Sequence, residues 1–69
     1  MRQIRALLKR VVIRPNPENG YLIELVVPTS GKERVAQRAL SADLEAARKL
    51  ADHYATMNGG CPIDDRTLN

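Results

Sequence analysis

Two periods of apolar residues divide the chain near residue 40. Before it, side chains alternate as on a strand. After it, they recur at three- and four-residue spacing, as on a helix. Val11-Val12-Ile13-Arg14 is a short β-branched run that predicts a first strand. In Tyr21 to Val27 the odd positions Tyr21, Ile23, Leu25 and Val27 form a wholly apolar face, and the even positions Leu22, Glu24 and Val26 are mixed. Residues 33 to 40 predict a third strand, with Val35, Gln37 and Ala39 on one face and Lys32, Arg34 and Arg38 on the other. Pro15-Asn16-Pro17-Glu18-Asn19-Gly20 and Pro28-Thr29-Ser30-Gly31-Lys32 separate the strands. Proline stiffens such loops, and Asn-Gly tolerates the positive φ of a tight turn. From Ala42 to about Asn58, Leu44, Ala47, Leu50, Ala51, Tyr54 and Met57 share one helical stripe. Ser41 is the expected N-cap, Asp43 and Glu45 suit the positive end of the helix dipole, and Asn58-Gly59-Gly60 is the expected stop.

These elements predict an α+β fold: a three-stranded antiparallel sheet with one C-terminal α-helix packed on one face, in the order β-β-β-α. Residues 1–69 form a single domain, with a basic segment at 1–10, the core at 11–58 and a tail at 59–69. Residues 1–10 fit either an amphipathic helix through Ile4, Leu7, Leu8 and Val11, or a backward extension of the first strand. The tail fits either a frayed end or a short closing segment. The helix is expected against Val11/Ile13, Tyr21/Ile23/Leu25/Val27 and Val35/Ala39. The opposite face is then uncovered. It carries Arg10, Val12 and Arg14, then Leu22, Glu24 and Val26, then Lys32, Arg34, Ala36 and Arg38. Five cations against one carboxylate make this the face to watch.

Composition narrows the picture. With 69 residues and neither Phe nor Trp, the core must be small and aliphatic, so a homodimer or a partner-stabilised state is a natural way to gain stability. The net charge of +3 is too small for a dedicated polycation, so the placement of charge matters more than its total. A single cysteine, Cys61, allows no internal disulfide and suits a reducing compartment. No run reaches the ~18 apolar residues of a membrane span. The basic start also lacks the apolar stretch and cleavage site of a signal peptide, so the expected location is the cytoplasm.

The chemistry that this pattern offers is recognition. An arginine presents two parallel donors to a guanine edge, and strands can lie in a major groove. Arg34 and Arg38 are the candidate base contacts, with Arg10, Arg14 and Lys32 on phosphates of double-stranded DNA. The competing expectation is an acidic protein partner, held by the same face or by an edge strand through Val12, Leu22 and Val26. His53, Cys61, Asp64 and Asp65 fit no zinc spacing, and Ser30-Gly31-Lys32 lacks the upstream glycine of a phosphate loop. No nucleophile–base–orienter set can be assembled, so the expectation is a non-enzyme that needs no cofactor.

The stretch Asn19 to Gly60 resembles the arm-type DNA-binding domains of phage and transposon integrases and the ethylene-response-type plant domains. The shared features are Tyr21 opening the second strand, the Gly31-Lys32 hairpin, Arg34 to Leu40, the helix start Ser41-Ala42-Asp43-Leu44-Glu45-Ala46-Ala47, and Asn58-Gly59. That resemblance implies a sheet face in the major groove, a role falling on Arg14, Lys32, Arg34 and Arg38. It departs from the family at Leu40, where an aromatic is usual, and at Glu24 on the DNA face. Val11 to Ala55 is also similar to HicB-type antitoxin modules, although the motif usual after their second strand is absent. That likeness implies binding to another protein.

Overall fold

A computed structural model describes residues 9–68, so the alternatives for residues 1–10 lie almost wholly outside the described part. The strands are β1 (Arg10–Pro15), β2 (Tyr21–Thr29) and β3 (Lys32–Ser41). They are followed by helix α1 (Leu44–Met57) and a short β4 (Ile63–Asp65). The fold is α+β, with a mixed four-stranded sheet in the order β3-β2-β1-β4. The three antiparallel strands and the helix after them are present. To these the tail adds β4, parallel to β1, with Val11 opposite Ile63 and Ile13 opposite Asp65. Of the two readings of the tail, the closing segment is the observed one. The Val11 N–H donates to the Pro62 carbonyl at 3.0 Å and the Arg66 N–H to the Ile13 carbonyl at 2.8 Å, which pins both ends of β4.

The turns explain the antiparallel register. Thr29 pairs with Lys32 across a two-residue turn at Ser30 and Gly31, whose φ values of +49° and +80° have the sign that matches strand twist. Gly20 closes the longer loop at φ +74°, and a Cβ there would lie 2.5 Å from the Ser41 carbonyl oxygen. Glycine is thus required both by the backbone angle and by the close approach of β3.

Helix α1 begins two residues later than the sequence suggests. Ser41 stays in β3, paired with Tyr21, and its hydroxyl accepts from the Asp43 N–H. The cap is Asp43, whose carboxylate accepts from the Ala46 N–H at 3.3 Å. At the other end the Gly60 N–H reaches the Ala55 carbonyl at 2.8 Å, the closure expected when a left-handed glycine, here Gly59, follows the cap. The buried row is Ala47, Ala51 and Ala55, with Leu50 and Tyr54 at its flanks. Met57, expected on the stripe, is 70% exposed. Ala55 takes its place because residues four apart stack along one line, and only side chains that stop at Cβ let the helix approach the sheet this closely. Under that row lie Val11, Ile13, Ile23 and Leu25. Burying each large side chain contributes about 1.5–3 kcal/mol.

Candidate functional site

The face away from the helix carries charge, as expected, but its organisation differs. A β-bulge lies opposite Leu25 and Val26: Gln37 pairs with Leu25 and Val35 with Val26, so Ala36 is extra. One inserted residue shifts every side chain beyond it to the other face. Before the bulge, in chain order, Glu33 and Val35 therefore stand with Pro28 and Val26 on the side away from the helix. Lys32 and Arg34 stand with Thr29 and Val27 on the helix side. The sequence expectation, with Lys32 and Arg34 on the uncovered face and Val35 beneath the helix, is reversed here. Past the bulge, Arg38 does lie on the expected face, opposite Glu24.

Nor is that face simply open. Val12 and Val26 are 3% and 7% accessible, and Glu24, the buried charged residue of the described chain, is 5% accessible. The cover is supplied by arginine. Arg14 donates from Nε and Nη2 to the two Glu24 carboxylate oxygens at 3.2 and 3.3 Å, and Arg38 donates from Nε to Oε2 at 3.1 Å. Arg10 makes a second paired contact, Nη1 to Glu33 Oε2 at 2.6 Å and Nη2 to Oε1 at 3.3 Å. Arg66 joins Asp64 at 2.9 Å on the neighbouring β4. The aliphatic stems of such arginines cover apolar side chains while the heads remain in water. Arg10, Val12, Arg14, Val26 and Val35 border a shallow depression of about 240 Å³, which Arg34 also borders from the edge strand.

The electrostatics follow from these contacts. Hydrogen bonding from Arg14 holds the Glu24 carboxyl below its ordinary range, against the opposing effect of burial, and Arg38 adds to the lowering. Arg10 does the same for Glu33. On the helix side, Asp65 is lowered first by the Thr67 hydroxyl and then by Arg48 of α1, which reaches it at 2.9 Å. Four arginines on the far face are thus answered by three carboxylates. The candidate DNA contacts divide accordingly. Arg10 and Arg14 are engaged in two-donor pairs, and Arg38 commits its Nε alone. Lys32 and Arg34 make no side-chain hydrogen bond or ion pair with another described residue, and both are exposed. The role of Glu24 as the hub between β1 and β3 was not read from the sequence. The signal available was a carboxylate at an even position of the most apolar strand, with arginines on both predicted neighbours.

The other residues weighed for chemistry are dispersed. His53 is exposed on α1, Cys61 is a half-buried free thiol against the core, and Asp64 and Asp65 point to opposite faces of β4. Among the described residues no group of three or more His, Cys, Asp or Glu side chains is placed to hold a metal, and no helix is long and apolar enough to cross a membrane. The chain matches no protein-family model, no curated protein and no solved structure.

Proposed function

We propose that this chain is a non-catalytic binding module whose partner is an acidic segment of another protein, taken up along β3. One observation carries the reading: of the five candidate cations, the two with no carboxylate partner among the described residues, Lys32 and Arg34, sit on the edge strand together with Arg38, whose terminal nitrogens bond no other described residue. Arg10 and Arg14 already face carboxylates, so offering them to a phosphate means giving up charge-assisted bonds. A duplex reader built from all five cations incurs that cost, whereas a partner on β3 does not.

Double-stranded DNA stands as the second reading, favoured by the same exposed Lys32, Arg34 and Arg38. The two readings separate when isotope-labelled protein is titrated with a poly-glutamate peptide and, separately, with a mixed-sequence duplex across a salt series. Under the protein reading, the peptide shifts amides between Lys32 and Leu40. The duplex then binds only in the non-specific range, no tighter than about 10⁻⁶ M at physiological salt. Duplex binding near 10⁻⁸ M that is lost with Arg14→Ala overturns the protein reading and returns all five cations to DNA. A salt slope near −4.5 would point the same way, because five phosphate contacts at about 0.9 each predict that value.

A further inference from the structure

β3 is ten residues long and stands at the end of the sheet order, so one side of its backbone has no strand beside it. Among the described residues no other backbone group bonds to that side. An unpaired strand edge is a template for another strand, and proteins usually blunt it with charge, with a bulge or with a covering element. Here β3 is exposed from Lys32 to Arg38 and again at Leu40.

The bulge sorts the side chains along this edge by chemistry. On the helix side stand Lys32 and Arg34, neither of them paired with another described residue. On the other side stand Val35 and Leu40, 38% and 66% exposed, with Arg38 between them. Three cations against Glu33, which is itself held by Arg10, also set the sign of what can pair there. Two copies of β3 side by side would bring like charges together, and like charges opposite one another destabilise a sheet. The edge is therefore guarded against a second copy and complementary to an acidic strand.

Resting on the binding-module reading, we propose that an extended segment alternating acidic and apolar residues adds to the outer edge of β3. Its acids lie beside Lys32 and Arg34, and its apolar side chains lie beside Val35 and Leu40. Strand addition supplies affinity through main-chain bonds, and the alternate side chains supply selectivity. A peptide alternating glutamate and valine meets both requirements. Poly-glutamate meets the charge requirement alone.

The test measures hydrogen exchange at the β3 amides of the full chain, and its affinity, with a labelled glutamate–valine peptide and with poly-glutamate. The expected result is new protection of alternate β3 amides by the alternating peptide and not by poly-glutamate. The Lys32→Glu/Arg34→Glu variant should bind about tenfold more weakly, since each exposed pair is worth up to about a factor of five. Neither side chain has a partner in the described fold, so the variant keeps its structure, which its circular dichroism would verify. Equal binding of both peptides with no β3 protection overturns strand addition and leaves the acidic-partner reading standing. Binding of neither peptide below about 1 mM overturns both. Protection of β3 by self-association of the chain alone overturns the proposal in favour of a second copy, and protection by duplex DNA alone overturns it in favour of nucleic acid.

Discussion

Glu24 offers the sharpest test of how the far face is held together. In Glu24→Gln the side chain keeps its shape and loses its charge, so three bonds between ions from Arg14 and Arg38 become at best one or two from a charged guanidinium to a neutral amide oxygen. A fully buried carboxylate stripped of its partners would cost about 3–5 kcal/mol. Here the acid is 7% accessible but the arginines are 41% and 58% accessible, so water takes over part of their hydration and the figure must be discounted. About 2 kcal/mol for the carboxylate as a whole is the resulting expectation, a drop of roughly 10 °C in Tm for a domain of this size. Urea denaturation of both proteins between neutral pH and the acid limit of the folded state measures it. The sign follows from the lowered carboxyl: its stabilisation is present above the unfolded-state value near pH 4.3 and is lost as pH falls through the folded-state value. Protonated Glu24 resembles the glutamine that replaces it, so the gap between the two proteins should close in acid. A gap below about 0.5 kcal/mol at neutral pH, or one of unchanged size in acid, would refute the account and assign the cost to packing.

Five further substitutions probe the frame that positions β3. Gly20→Ala should destabilise by about 2–4 kcal/mol in urea, because it combines a left-handed backbone with a Cβ 2.5 Å from the Ser41 carbonyl; Gly59→Ala, which meets nothing within 4 Å, should cost only about 1. Asp43→Ala should cost about 1 kcal/mol and Ser41→Ala less, which reverses the order expected if Ser41 were the cap. Ala51→Leu, at a position with no accessible surface beneath the helix, should cost about 1–3 kcal/mol and shift the β1 and β2 resonances in a heteronuclear spectrum.

What could be read from the sequence and what could not divides along a physical line. The apolar face of β2, the two turns and the helix could be read because each depends on near neighbours. The bulge could not. Arg34-Val35-Ala36-Gln37 continues an unbroken strand-like run, and only pairing with Leu25 and Val26 shows that one residue too many has been accommodated. The consequence is large, since the slip carries Lys32 and Arg34 to one face and Glu33 and Val35 to the other. The fourth strand was hidden for a similar reason. Ile63-Asp64-Asp65 has no periodicity of its own, and it becomes a strand because β1 presents a free edge at the height where the chain returns from α1. The helix cap lay between two suitable residues, Ser41 and Asp43. The choice was made by the pairing of Ser41 with Tyr21, a contact twenty residues away.

The same division governs how charge should be counted. In sequence, five cations on one sheet face look like a field for phosphates. In the fold, register converts two of them, Arg10 and Arg14, into a roof over Val12 and Val26, held by Glu33 and Glu24. Arginine suits this task because one planar group satisfies a carboxylate with two donors while its stem covers apolar surface. Those cations serve the second face of the sheet much as α1 serves the first: they keep apolar side chains dry. Of the five, Lys32 and Arg34, which stand before the bulge and so on the helix side, and the outer half of Arg38 have no such duty among the described residues. Because all three project from one edge strand, the charge without a partner and the backbone edge without a neighbour coincide. A partner that needs both is a strand with acids on it.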